Sequence, residues 1–281
     1  MSLYETLLKR GKEVLGASWE PNLDNPLSFN DKINWCKLYD QQAQQVDAVD
    51  KVRVFKYLED RGFGKYNRTL LGSAPTVQEL PPTQGHVVLK CNHDSGSYKF
   101  VHHRDFIENS TLLRDLDKFF RKKLEIDYGT KGGEWQYSQI EPRRVLSERN
   151  LVGGGRLPPD YKFHCTEGKV NWCQYIYDRG VQTSEVNVLP DGTNTGLLFD
   201  TNFKLGKEFT VPDTWDEMLE LASKLSKPYK YVRVDLYDVG GRVYFGELTF
   251  FPRGGYYKGE GQLELGKLLE FNLDKKEPIV P

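Results

Sequence analysis

The sequence has almost no net charge, with 39 basic residues against 40 acidic ones. Such a balance gives no electrostatic reason to expect nucleic acid or a membrane surface as partner. No apolar run approaches the ~18 residues that a membrane-spanning helix needs, so no span is expected. The opening stretch, MSLYETLLKRGKEVLG, is amphipathic and charged and lacks the apolar core of a signal peptide. The cytoplasm is therefore the expected compartment. Cysteine is scarce: Cys36, Cys91, Cys165 and Cys173 are the four. No two of them have C-x-x-C spacing, and a chain of this size needs no covalent staples. They are expected to be reduced and mostly buried. There is no internal repeat, no low-complexity tract, no Walker-type GxxxxGK[ST], no GxGxxG and no clear DxD.

What is present is the composition of a soluble globular chain: 281 residues, 38% apolar, mean hydropathy −0.62. That length has room for two or three subdomains with their own cores. Aromatics make up 13%, including 16 tyrosines, and are expected in strand and interface packing, with a sugar- or base-stacking groove as the alternative. Apolar residues recur at helical spacing over 2–15, 29–45, 47–62 and 110–127. A fifth helix is expected over 214–225, with Thr214 and Glu217 as its capping box. Alternating runs predict strand–loop–strand over 86–103, a strand over 143–150, and hairpins over 160–179 and 231–250. GGGRLPPDY (153–161) reads as a loop. The order is α-rich, then mixed, then mixed again, which points to α+β subdomains.

The stretch YVRVDLYDVGGRVYFGELTF, 231–250, carries two acids inside its strands. Parity places Val232, Val234 and Leu236 on one side, with Arg233, Asp235 and Tyr237 on the other. On the second strand it places Tyr244, Leu248 and Phe250 on one side, opposite Val243, Phe245, Glu247 and Thr249. A two-residue Gly240-Gly241 loop separates Asp235 and Glu247 onto opposite faces. A three-residue loop over 239–241 puts them on one face with Arg233 opposite Glu247, and that register is the expected one. The simple alternative is a sheet with one solvated face. Acids about 5 Å apart repel by about 3 kcal/mol at an effective dielectric near 20, which favours a cation between them. A divalent metal shared with phosphate oxygens meets that need. The following FFPRGGYYKGEGQ is a tight turn with Arg253 beside it, either an anion-facing loop or an ordinary one.

A metal held this way needs something to hold the phosphates. Lys90 closes the run VVLK, and NHDSGS follows, offering Ser95, Gly96 and Ser97 with small side chains and free amides. On its own this is also the sequence of an ordinary hairpin turn.

Taken in order, a strand ending in Lys and a Gly/Ser loop, then SERN, LPPDYKFHCTEGK, a helix, and VRVDLYDVGGRVYFGELTF resemble the TupA-like ATP-grasp family of bacterial surface-polysaccharide loci, named for teichuronopeptide synthesis. The resemblance runs from about Asp50 to Gly266. It implies an α+β ATP-grasp fold, two α+β subdomains with nucleotide between antiparallel sheets, preceded by a helical N-terminal segment. The expected boundaries are 1–70, 71–145 with the phosphate-covering flap, and 146–281 with the metal hairpin. The resemblance implies that Lys90 and Lys162 contact phosphates of ATP, that Ser95, Gly96 and Ser97 form the flap, and that Glu148 accepts hydrogen bonds from ribose at the hinge. Asp235, Glu247 and Thr249 are then the Mg2+ ligands, and Arg233 steadies the transferred group. Thr249 stands where the family pattern Glu-x-Asn has the amide ligand, which weakens the case for a second metal.

The implied activity is an ATP- and Mg2+-dependent carboxylate–amine ligase that forms an amide through an acyl phosphate. Its partners would be a small-molecule or polysaccharide-precursor carboxylate, such as a uronic or amino acid, and an amine. A sugar or small-molecule kinase on the same scaffold, a glycosyltransferase of such a locus, and a non-catalytic nucleotide-binding protein are the alternatives. Among the other residues, Trp135 and Tyr137 are expected in packing, with lid or substrate contacts as the alternative, and Lys51 and Arg53 on a solvated helix, with a phosphate or carboxylate partner as the alternative. His93 is a further candidate phosphate contact. Asp160 is expected to orient Lys162 or to be a loop acid. Asp178 and Arg179 are read as acceptor contacts or as a surface pair. His102 and His103, adjacent in a strand, cannot share a metal.

Overall fold

The computed structural model describes residues 1–67, 69–102, 110–152 and 157–276. His103 and residues 153–156 of the expected 153–161 loop lie outside the described residues. The chain divides into two compact units. The larger holds Met1–Ala43, Lys131–Glu134 and Pro158–Pro281, and the smaller holds Gln44–Thr130 and Trp135–Leu157. The expected 1–70 segment is thus divided at Ala43, and the run 145–149 falls in the smaller unit.

Alternating Val, Leu and Cys over 86–101 build the smaller unit's sheet from β1 (Leu70–Ala74), β2 (His86–Cys91), β3 (Tyr98–His102) and β4 (Val145–Arg149). The strand order is β1-β4-β2-β3 and every pairing is antiparallel. Val87, Leu89, Cys91, Val101 and Val145 point to one face, where they bury Leu116 and Phe120 of the helix Ser110–Leu124. The opposite face of β2 carries His86, Val88 and Lys90.

In the larger unit, β5 (Asp160–Thr166), β6 (Lys169–Tyr177), β7 (Ser184–Val188), β8 (Lys204–Leu205), β9 (Val232–Asp238) and β10 (Val243–Thr249) form a sheet in the order β10-β9-β5-β6-β7-β8. Among the described residues only β7 and β8 run parallel. Met218, Leu221, Ala222 and Leu225 of the helix Trp215–Ser226 are buried with Phe163, Val232, Val234 and Leu236. Each such large apolar side chain contributes about 1.5–3 kcal/mol on leaving water. Phe29, at the start of the helix Phe29–Tyr39, lies edge-on to His164, Phe199, Tyr231 and Tyr257, with centroids 4.9–5.6 Å away. A Cβ at Gly266 would lie 2.1 Å from the Phe29 nitrogen. That close approach packs the helix Gly261–Lys267 against Phe29–Tyr39 and ties the N-terminal helices to this unit.

Two expected helices are shorter than their periodicity. The 29–45 helix stops at Tyr39. The 47–62 helix becomes Gln44–Val49 and Arg53–Glu59. Between these two, the Asp50 carboxylate accepts from the main-chain N–H groups of Val52 and Arg53 at 2.8 and 3.3 Å, which gives the backbone an alternative to a continuous helix. Lys51 and Arg53 accordingly do not share one solvated helix, and Arg53 has the carboxylate partners that were the alternative. Lys51 donates to the Asp94 carbonyl, and Arg53 bridges Asp47 and Asp50. The Thr214 capping box does not form, because the Thr214 hydroxyl donates instead to Asp238 at 2.7 Å. All four cysteines are free and buried. Among the described residues no helix is long and apolar enough to cross a membrane.

Candidate active site

The hairpin β9–β10 turns through Gly240 and Gly241, with φ of 63° and 72°; the Val239 N–H bonds the Arg242 carbonyl at 3.0 Å. Two glycines at positive φ are what a two-residue type I′ turn requires. The expected three-residue loop is therefore wrong, and a two-residue loop alone separates the acids. A β-bulge restores them to one face. The register runs Val243↔Asp238 to Phe245↔Leu236, slips at Gly246, and resumes with Glu247↔Asp235, Leu248↔Val234 and Thr249↔Arg233. One extra residue flips every side chain beyond it. Val243 and Phe245 thereby join Leu236 on the apolar face, contrary to the expected parity. Glu247 lands directly opposite Asp235, and Arg233 opposite Thr249 instead of Glu247. Gly246 has no room for a side chain: a Cβ there would lie 2.9 Å from the Asp235 carbonyl and from the Tyr237 ring.

The ladder continues across the sheet. Asp235 pairs with Lys162, Lys162 with Gln174, and Gln174 with Asn187. Glu247, Asp235, Lys162, Gln174 and Asn187 therefore form one row on one face, and the next row holds Thr249, Arg233, His164 and Trp172. Arg233 joins the two rows. Its Nε donates to Asp235 Oδ1 at 2.6 Å, and its Nη2 donates to Asp235 Oδ2 at 2.7 Å and to Glu247 Oε1 and Thr249 Oγ1 at 3.1 Å each. Lys162 Nζ donates to Asp235 Oδ2 and lies 3.8 Å from Asp160 Oδ1. Asp160 also meets Arg179 at 2.7 Å, so Arg179 is engaged within the cluster. The Thr249 hydroxyl donates to Glu247 at 3.1 Å.

The cation that the two acids call for is thus a guanidinium supplied by the chain itself. Asp235 is fully buried, and Arg233 is 8% exposed. Burial pushes the Asp235 carboxyl above its usual range and Glu247 adds to this, while Arg233 and Lys162 draw it down. Burial opposes the charge of Arg233, but Asp235 and Glu247 hold its proton more firmly than usual. Burial, with Arg233 and Lys162 nearby, keeps His164 well below its ordinary range and so neutral. Its ring stacks on Trp172 at 4.2 Å.

No group of three or more His, Cys, Asp or Glu suited to a metal occurs among the described residues. Two carboxylates and a hydroxyl from neighbouring strands are hard oxygen donors. They fit Mg2+, which takes one or two carboxylates and completes its shell with water and substrate phosphates.

Lys90, Ser95, Gly96, Ser97 and Glu148 lie in the smaller unit. Lys90 and Glu148 project from the same face of neighbouring strands and pair with each other at 2.5 Å. In the turn between β2 and β3, Ser95 and Gly96 are exposed, and Gly96 has φ of 88°. Ser97 is buried, its hydroxyl 3.3 Å from that of Tyr128. The base of the turn is fastened by Asn92, which bonds Asp50, the Pro142 carbonyl and the Arg144 N–H. His93, buried, meets the Ile126 carbonyl at 3.1 Å and belongs to this base. Trp135 and Tyr137 are packed in the interior. In the turn Pro252–Gly255, Arg253 at φ 53° is held by Asp200 at 2.6 and 2.8 Å.

Sequence reasoning did not reach Gln174, Asn187 or Glu185. Glu185 is a fully buried carboxylate that accepts from Gln174 at 2.5 Å, from Asn187 at 3.1 Å and from the Asp200 N–H at 3.0 Å. Nothing local marks these residues. The bulge did have a signal, since glycine inside a strand commonly marks one.

The family model described as TupA-like ATPgrasp matches residues 31–270. No curated protein sequence matches the chain. Among solved structures, the ATP-grasp ligase PsnB complexed with a minimal precursor is 12% identical, with 85% of this chain and 67% of that one covered at a TM-score of 0.43. The D-alanine–D-alanine ligase of Bacillus anthracis is 15% identical with the same coverage and TM-score. That of Helicobacter pylori is 13% identical, with 86% and 68% covered at a TM-score of 0.44. The chain spans about two thirds of the length of these structures.

Proposed function

Because the chain belongs to the TupA-like ATP-grasp family, we propose that it is an ATP- and Mg2+-dependent carboxylate–amine ligase. The observation that carries this reading is the single sheet face on which Lys162, Arg233, Asp235, Glu247 and Thr249 converge within bonding distance. Asp235 and Glu247, with Thr249 beside them, would hold the metal as Arg233 and Lys162 release them for the phosphates. When bound, Mg2+ neutralises charge on the phosphate oxygens. Lys162 and Arg233 bind anionic oxygens of the triphosphate and of the transferred phosphoryl group. Lys90 contacts phosphate, Glu148 accepts from the ribose, and Ser95, Gly96 and Ser97 close over the phosphates. A substrate carboxylate oxygen attacks the γ-phosphorus as the bond to ADP breaks. An amine then displaces phosphate from the acyl phosphate and loses a proton, leaving an amide. The chain supplies positioning and charge and no covalent nucleophile. The carboxylate is a uronic or amino acid of a surface-polysaccharide precursor, and the reaction takes place in the cytoplasm.

The test is incubation of the full chain with Mg·ATP and panels of uronic and amino acids and amines, with products read by mass spectrometry. ADP, free phosphate and an amide are the expected products. A phosphorylated hydroxyl without free phosphate identifies a kinase instead. Stabilisation by nucleotide sugars but not by ATP identifies a glycosyltransferase.

A further inference from the structure

We propose that Arg253 is a specificity-determining residue that binds a carboxylate which does not itself react, so that one of the two ligase substrates carries a second acidic group; this rests on the ligase reading. Arg253 lies in the turn Pro252–Gly255, just beyond β10, the strand that carries Glu247 and Thr249. Its φ is 53°, and Gly254 and Gly255 follow at 62° and 70°. Glycine adopts such a backbone at no steric cost, whereas an arginine there is strained. What arginine adds over glycine is its side chain. The turn itself is clamped, because Lys37 donates to the Gly254 carbonyl at 2.5 Å and Asn34 to the Gly255 carbonyl at 3.0 Å. The guanidinium is fixed as well. Its Nε donates to Asp200 Oδ2 at 2.8 Å, and its Nη2 lies 2.6 Å from the same oxygen. Asp200 is buried, and its Oδ1 accepts from the main chain and side chain of Asn202 at 3.0 and 2.6 Å. Asp200 thus occupies the Nε edge of the fork. The outer edge, where Nη1 and Nη2 present parallel N–H groups, meets no acceptor among the described residues, and the side chain is 46% exposed. That edge matches the two oxygens of a carboxylate. Asp200 already balances the charge, so binding there depends on directional bonds more than on net charge. This favours a planar carboxylate over a triphosphate. Burial raises the Tyr257 phenol above its usual range, while Arg233 and Arg253 both draw it down. One phenol therefore lies in the field of both arginines, which sets Arg253 on the same side as the reacting cluster.

Thermal shift and calorimetry of the full chain test the proposal, with L-glutamate, L-aspartate and D-glucuronate as probes against their amides, each with and without Mg·ADP. At least one acid is expected to raise the melting temperature of the wild type where its amide does not. Arg253→Gly suits the backbone of the turn, and Arg253→Lys keeps a charge beside Asp200 without the fork, so the two give independent readings if one fails to fold. Each is expected to weaken binding of that acid by about 10-fold or more, the loss of a hydrogen bond to a charged group, while ADP binds as to the wild type. No response of the wild type to any of the acids, or wild-type affinity for the acid in either variant, overturns the assignment. A loss of ADP affinity equal to the loss for the acid overturns it as well and makes Arg253 a phosphate contact. Failure of the wild type to bind ADP refutes the ligase reading instead, and the titrations without nucleotide still decide whether Arg253 binds a carboxylate.

Discussion

In the six-stranded sheet Asp235 is fully buried, and its carboxylate is gripped by Arg233 and Lys162, with Glu247 and Thr249 joined through the same guanidinium. In the four-stranded sheet the lysine of the Lys90–Glu148 pair keeps 31% of its surface, and the turn beyond it ends in exposed Ser95 and Gly96. The first arrangement is assembled before any ligand arrives, and its cost of removing charge from water has been met by neighbouring charge. The second is only half open to water, since Lys90 is partly exposed while Glu148 is buried. Partners of the first therefore hold the fold together whatever ligand they take, whereas those of the second contribute less to folding.

Removing Arg233 tests that contrast most severely. Arg233→Met leaves Asp235 and Glu247 facing each other, and breaking a buried ion pair costs about 3–5 kcal/mol. Urea denaturation should show a loss of that size, and a loss below that of a surface pair would dissolve the contrast. Gly246→Ala should follow, at about 1–3 kcal/mol, because the new methyl overlaps the Asp235 carbonyl and the Tyr237 ring. It should also disturb the register that aligns the acids, which loss of Mg2+-dependent ATP binding reports. Unchanged stability together with unchanged Mg2+ dependence would show that the bulge is not needed.

A pH effect tests the larger unit's buried charge away from the cluster. Lys37 is fully buried, donates to the Gly132 and Gly254 carbonyls at 2.6 and 2.5 Å, and is lowered by burial from 10.5 to about 7, against a raising effect from Glu134. Between those values the unfolded chain holds a proton that the folded chain does not, so this group's contribution to stability rises with pH across the window. The stability gap between wild type and Lys37→Met should move in favour of the wild type from pH 7 to pH 9. A pH-independent gap would mean that Lys37 keeps an ordinary pKa. Lys90→Ala should have the smallest effect on folding, about 1–2 kcal/mol, because it takes a partner from the buried Glu148 carboxylate, while weakening ATP binding. Calorimetry with ATP checks this, and a large loss of stability would show that the smaller unit is also held together by charge.

The parity of Val232, Val234 and Leu236 against Arg233 and Asp235 was legible because a strand's period is fixed. So were the buried stripe of the helix Trp215–Ser226 and the strand–turn–strand around Lys90. The bulge escaped because the three-residue loop produced the same shared face without it, and the meaning of Gly246 depends on what it approaches. The break at Asp50 and the diverted Thr214 hydroxyl depend on partners chosen by the folded chain. Thr214 finds Asp238 on another element, and Asn92 holds Asp50 from across the unit. The placement of Arg233 between the acids was hidden for the same reason. Repulsion predicts that a cation is needed, but only the register decides that a side chain supplies it.

The most direct test of the account is the melting temperature of wild type and Glu247→Gln with ATP, with and without Mg2+. Glu247 is 41% exposed at its side chain, so its loss should leave the fold standing. A ligand that binds only the native state raises its stability. In the wild type Mg2+ should add to the stabilisation by ATP, and in Glu247→Gln that increment should vanish. An equal Mg2+ increment in both proteins, or none in the wild type, would contradict a metal clamped by Asp235 and Glu247.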